Sequence, residues 1–193
     1  FYRQFQQQYN VIRSMGIPTG RIVLNGWPHG FGADGGWVKD YAAWLEEVFA
    51  GVEDSVSLTL DRSGGFAYHT ETMTLPTENG NLHTVLYIPE SSASVYPAVI
   101  FSHGYGDTNR GGQSYAQALA SQGYLAVCFD FRGGGPGSQS DGSHLEMTIF
   151  TEQQDLEAEI AMLRARPDVD SRFIFLLGNS QGGVVSALTA AAH

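Results

Sequence analysis

Gly178-Asn179-Ser180-Gln181-Gly182 sets a serine between two glycines directly after the apolar run from Phe173 to Leu177. The residues from Gly183 to Ala192 that follow are small or apolar and read as a helix. A serine hydroxyl at such a strand–turn–helix junction is held in a strained backbone conformation, with its Oγ projecting above the sheet. That is the arrangement of a covalent nucleophile. Gly178 and Gly182 are explained by the same geometry, because a Cβ at either position would meet the neighbouring strand or helix. The turn also aims the N–H groups of the new helix at a place where negative charge can develop. The alternative reading is a glycine-rich turn with a helix-capping serine. A phosphate-cradling loop is disfavoured, since its lysine is absent.

An oxyanion needs two N–H donors, and a second segment can complete the pair. Phe101-Ser102-His103-Gly104-Tyr105-Gly106 ends an apolar strand. A loop in that position supplies one donor and the residue after the nucleophile supplies the other. The donors are therefore assigned to the backbone amides of Tyr105 and Gln181. His103 has the chemistry of a general base, but reads as a buried imidazole that fixes its own loop. Residues 132–142, rich in glycine and serine, read as a flexible loop on the rim of the site. His69 and His83 read as cross-strand or surface residues, and His144 as part of the rim loop.

These residues need elements to hold them. Residues 1–16 predict a glutamine-rich helix stopped by Gly16. Arg21–Leu24 predicts a short strand that runs into Gly26-Trp27-Pro28-His29-Gly30-Phe31-Gly32. Residues 36–49 predict an amphipathic helix, with Val38, Tyr41, Leu45 and Val48 on one face. Residues 51–65 read as a connector. Two alternating stretches, 69–75 and 81–88, flank Glu78-Asn79-Gly80 and predict a hairpin. From Pro97 onward strands at 98–101, 124–131 and 173–177 alternate with helices at 113–122, 152–166 and 183–192. Leu156, Ile160 and Leu163 share one face of the second of those helices. The strands are continuous apolar runs, as in a parallel sheet covered by helices on both faces.

Composition narrows the partners. The 193 residues are 42% hydrophobic and 16% charged, with a net charge of −10 from 20 acids and 10 bases. Lys39 is the only lysine. A surface this acidic repels phosphate backbones, which argues against nucleic acid and fits a neutral or uncharged substrate better than a polyanion. No apolar run approaches the 18 residues of a membrane span. Cys128 is the single cysteine and reads as a buried core thiol, so compartment and oligomeric state are left open. No metal constellation and no cofactor motif stands out. Position 1 is Phe, and the gene product is expected to begin upstream.

At this point the motifs carry a family resemblance. His103-Gly104-Tyr105, Phe129-Asp130-Phe131-Arg132-Gly133, Gly137-Ser138-Gln139-Ser140-Asp141-Gly142, Glu146-Met147-Thr148 and Gly178-Asn179-Ser180-Gln181-Gly182-Gly183 together resemble the bacterial cinnamoyl and feruloyl esterases. They also resemble the serine aminopeptidase and lysophospholipase-like branch of the α/β-hydrolases. The resemblance covers about residues 67–193. It departs at Asn179, where those esterases most often have His, a change that bears on substrate rather than on chemistry. It implies an α/β-hydrolase fold, a small-molecule ester substrate and an acyl-enzyme formed on Ser180. A serine peptidase, a lysophospholipase-like hydrolase and a non-catalytic module of the same fold are the alternatives.

In that fold the acid and the base follow the nucleophile. His193 lies at the far end of the helix after Ser180, about 20 Å away at 1.5 Å per residue, and is not the base. The fold is therefore expected to be incomplete, covering the front of the sheet through the nucleophile turn. The N-terminal 50 residues, with Gly26-Trp27-Pro28-His29-Gly30-Phe31-Gly32 before a helix, are similar to the closing segment of acetyl-xylan-esterase-like α/β-hydrolases. That resemblance implies that His29 is a triad base by origin. The expected organisation is thus the tail of an upstream hydrolase domain at 1–50, a linker at 51–65 and the front of a second domain at 66–193. A permuted single domain, with His29 serving Ser180, is the rival. The fragment alone is expected to show little activity and poor solubility, with the 173–177 strand left as an exposed edge.

Overall fold

In the computed structural model, residues 2–16, 37–50 and 65–192 are described. The Arg21–Leu24 strand, the His29 loop, the 51–64 part of the connector and His193 lie outside them. The chain divides into two compact units, Phe1–Leu58 and Thr59–His193.

Within the first unit, α1 (Tyr2–Ser14) ends where Gly16 adopts φ 78° and its amide bonds the Arg13 carbonyl. Glycine reaches that left-handed conformation without the penalty of a Cβ. Helix α2 (Trp37–Ala50) buries Trp37, Val38, Ala42 and Leu45, a stripe at helical spacing. Tyr41 and Val48 lie at its half-buried margin.

The second unit is built on a five-stranded sheet in the order β1-β2-β4-β3-β5. Strands β1 (Tyr68–Thr77) and β2 (Gly80–Pro89) form the hairpin, and β2 continues antiparallel onto β4 (Leu125–Phe129). Strand β3 (Tyr96–Ser102) runs parallel to both β4 and β5 (Val169–Gly178). The hairpin turn differs in detail from the expected one. Thr77 pairs with Gly80, so Glu78 and Asn79 are its central residues, and Gly80 alone takes a positive φ, 129°.

Alternation along β3 and β4 assigns the two faces of the sheet. Ala98, Ile100, Leu125, Val127 and Phe129 join Leu156, Ile160 and Leu163 of α4 (Ile149–Ala165) and Val185 of α5 (Gln181–Ala192) in one core. Phe101 points the other way and stacks on Tyr115 of α3 (Gln113–Ala120), with ring centroids 5.0 Å apart. Each fully buried side chain of this kind contributes about 1.5–3 kcal/mol. Gly112 sits where a Cβ would press on Phe101 and Cys128.

Several boundaries moved from expectation: β5 begins at Val169 rather than 173, β4 ends at Phe129 rather than 131, α3 ends at Ala120 rather than 122, and the starts of α4 and α5 shift as well. Helix α4 begins at Ile149, three residues early, because Thr148 and Thr151 exchange side-chain and backbone hydrogen bonds in a capping box. Helix α5 begins at Gln181, immediately after Ser180.

Candidate active site

Ser180 occupies the sharp turn between β5 and α5 with φ 53°, the one positive φ outside glycine among the described residues. Holding a side chain in that left-handed region costs on the order of 1–3 kcal/mol. Close packing enforces it. A Cβ on Gly178 would meet the backbone of Gly182 and Gly183 closer than 3.0 Å, and one on Gly182 would meet the Ser102 and His103 carbonyls as closely. Asn179 donates its amide to the Ser102 carbonyl at 3.0 Å, which ties the turn to the end of β3. The result is an exposed Ser180 on a rigid support.

The loop after β3 closes against this turn. A Cβ on Gly104 would lie 3.3 Å from the Ser180 Cβ and 3.9 Å from its Oγ. Tyr105 follows directly, with an exposed ring. Gln181 opens α5, so its amide is one of those a helix leaves without an intrahelical partner. The structure thus gathers Ser180, Gln181 and the Gly104–Tyr105 loop in one place. His29 lies outside the described residues.

His103 is fully buried beneath the loop. Its Nδ1 lies 2.8 Å from the Gly104 carbonyl and its Nε2 accepts the Phe131 amide at 3.1 Å. A neutral ring that donates from Nδ1 satisfies both contacts, and burial holds its pKa below the ordinary value. With both nitrogens engaged, it braces the loop. Among the described residues no histidine hydrogen-bonds to Ser180.

The 132–142 segment is not a loose loop. Ser140 donates to the Asp130 carbonyl and accepts the His83 amide, while Asp141 accepts both the backbone and side-chain N–H of Asn81. Asp130, fully buried, takes Asn109 on one oxygen and the Gln139 amide on the other. Fixed polar anchors at Ser138, Ser140 and Asp141 override the flexibility suggested by so many glycines. His144 then reaches the rim, where its Nε2 meets the Tyr105 hydroxyl at 2.8 Å and its Nδ1 the Gly133 carbonyl at 3.0 Å. His69 faces Glu90 at the surface.

Sequence reasoning missed a row of buried acids. Glu152, Asp155 and Glu159 lie on the same buried face of α4 as Leu156, Ile160 and Leu163. Asp155 pairs with Arg132, whose backbone amide and guanidinium both donate to it. Glu159 accepts the Thr84 hydroxyl, and burial pushes its carboxyl up to about 8. Glu152 accepts the Gln181 side-chain amide at 2.6 Å, and burial raises its pKa against that bond. Their spacing at i, i+3 and i+7 was the available signal, since it puts the acids on the apolar stripe. Among the described residues no group of three His, Cys, Asp or Glu could hold a metal ion, and no helix is long and apolar enough to cross a membrane.

Comparison with known proteins agrees with this geometry. Residues 93–193 match the family described as serine aminopeptidase, S33. The chain belongs to that family, and with it to the α/β-hydrolase superfamily. Among solved structures, it is similar to DcsB in complex with its substrate analogue, at 26% identity and a TM-score of 0.58, over 65% of this chain and 41% of that one. Est1E from Butyrivibrio proteoclasticus, solved with ferulic acid bound, gives 24% identity and a TM-score of 0.56, over 62% of this chain and 47% of that one. The α/β-hydrolase GrgF from Penicillium sp. sh18 gives 23% and 0.56, over 65% and 42%. At those identities the last two likenesses establish the fold alone. The chain thus spans less than half the length of each of these proteins. A search of curated proteins finds no match.

Proposed function

We propose that this chain carries the nucleophile half of a serine hydrolase that cleaves carboxylic esters through an acyl-enzyme on Ser180. The observation that carries the reading is the left-handed backbone at Ser180, held between two glycines that have no room for a Cβ. Strain of this kind persists where packing over-determines it, and it clusters at reactive positions. In this reading Ser180 Oγ attacks the substrate carbonyl. The amides of Tyr105 and Gln181 hold the resulting oxyanion, a contribution of roughly 3–4 kcal/mol per donor in comparable sites. A histidine takes the serine proton and returns it to the departing alcohol, and water then releases the acid.

A small ester with an aromatic or acetyl acyl group is the substrate class we favour. The exposed Tyr105 ring beside the serine loop supports it, as does the chain's acidity. The reading includes the organisation drawn from the sequence, with a closing hydrolase segment at 1–50 that carries His29, a linker at 51–65 and the front of a second domain at 66–193. The base and acid for Ser180 would then come from a longer parent polypeptide.

Fluorophosphonate labelling of the 193-residue chain and of its parent tests this, with Ser180→Ala and His29→Ala variants of each and p-nitrophenyl acetate turnover alongside. The parent is expected to label at Ser180, to lose that adduct in Ser180→Ala and to keep it in His29→Ala. The shorter chain should label weakly or not at all. A parent in which Ser180 forms no adduct overturns the reading. Loss of the Ser180 adduct in His29→Ala would instead join the two halves into one working site.

A further inference from the structure

Helix α4 reaches the proposed oxyanion donor through one buried carboxylate. Gln181, the residue immediately after Ser180, donates from its side-chain Nε2 to Glu152 Oε2 at 2.6 Å. Glu152 is fully buried in the first turn of α4. Among the described residues its other oxygen, Oε1, has no hydrogen-bond partner. An unpaired buried acceptor is destabilising, and a buried carboxylate is a poor choice where only packing is needed.

What the carboxylate offers is a short bond that fixes its partner. The helix that delivers Glu152 is itself immobilised. Thr148 and Thr151 cap it, and Asp155, one turn on, is clamped by the Arg132 amide and guanidinium. The chain from the rim segment through α4 to Gln181 is therefore a continuous set of fixed contacts ending one residue from Ser180.

We propose that Glu152 is a positioning residue for the oxyanion hole, fixing Gln181 through its side chain so that its backbone amide is held where the oxyanion forms. The inference rests on the ester-hydrolase reading of Ser180. Glu152 touches no substrate and acts through Gln181 alone. An oxyanion donor must be held to fractions of an ångström, and a misplacement of about 1 Å costs on the order of a hundredfold in rate. Glu152→Gln leaves a carbonyl oxygen that can still accept from Gln181, whereas Glu152→Ala and Gln181→Ala each remove the bond.

The test is the second-order rate of Ser180 phosphonylation in the full-length polypeptide, measured for Glu152→Gln, Glu152→Ala, Gln181→Ala and the Glu152→Ala/Gln181→Ala pair. Thermal midpoints and the 1H–15N resonances of Gln181, backbone and side chain, are followed in parallel. Glu152→Ala and Gln181→Ala should each slow labelling by about ten- to hundredfold. The double variant should be no slower than either single one, and Glu152→Gln should recover most of the rate. The Gln181 backbone resonance should move in Glu152→Ala. Additive losses, an unmoved Gln181 backbone resonance, or a Glu152→Gln rate as low as that of Glu152→Ala overturns the proposal. Wild-type protein without a Ser180 adduct removes the reading beneath it, a result distinct from altered Gln181 resonances in a labelling enzyme.

Discussion

At Ser180 the chain accepts local strain for the sake of presentation, and the surrounding glycines show how tightly that is enforced. Gly182→Ala drives a Cβ into the Ser102 and His103 carbonyls, which are backbone and cannot rotate away. Overpacking of this kind costs about 1–3 kcal/mol or more. Urea denaturation of Gly182→Ala should show a stability loss of that size, and a midpoint equal to wild type would mean the turn relaxes freely. Gly104→Ala is the milder counterpart, because its Cβ would sit 3.3 Å from the Ser180 Cβ rather than against backbone. It should leave the thermal midpoint nearly unchanged while slowing Ser180 labelling. Ser180, Gly178 and Gly182 were legible because glycines two residues either side of a serine, straight after an apolar strand, mark a turn too tight for flanking side chains. Glu152 was not. Its spacing puts it on the apolar stripe, but its partner is a side chain 29 residues away, and only tertiary packing reveals that bond.

Helix α4 carries the clearest conflict between local pattern and fold. Its apolar residues marked the buried face correctly, yet that face also holds three carboxyl groups. The start was missed because the N3 residue of the capping box is Thr151, not the Glu or Gln that marks such boxes in sequence. Glu159 gives the helix a measurable pH signature. Desolvation raises its carboxyl from an ordinary 4.5 to about 8, with Asp155 adding to the rise and the Thr84 hydroxyl opposing it. The unfolded chain ionises this group near 4.5 while the folded one keeps its proton to about 8. Its contribution is therefore complete below 4.5, is lost as pH rises through 8, and stays lost above it. Denaturant unfolding of wild type between about pH 5 and 9 should show stability falling by up to about 1.4 kcal/mol per pH unit from this group. Glu159→Gln, which cannot ionise, should flatten that slope. An unchanged slope would assign the pH dependence to the chain's net charge of −10 instead.

At the scale of the molecule, the sheet order explains both what the sequence made visible and what it did not. Continuous apolar runs at β3 and β4 announced strands buried on both faces, and both are buried throughout. The same texture marked β5 as a strand, and Ile174 to Gly178 are only half-buried, in keeping with the exposed edge expected there. Apolarity reports that a strand will be covered, not how many neighbours it has. Among the described residues β5 pairs on one side only, with β3. An unprotected apolar edge is a template for pairing with another chain. The 193-residue chain should therefore associate as its concentration rises, as read by sedimentation velocity. Leu177→Lys puts a charge on that edge and should shift the distribution toward monomer. Val184→Lys, on an exposed position of α5, should leave it unchanged, with circular dichroism checking that both variants fold. Equal association in all three proteins would move the contact elsewhere, and a monodisperse wild-type monomer with one cooperative unfolding transition would mean that β5 is already covered.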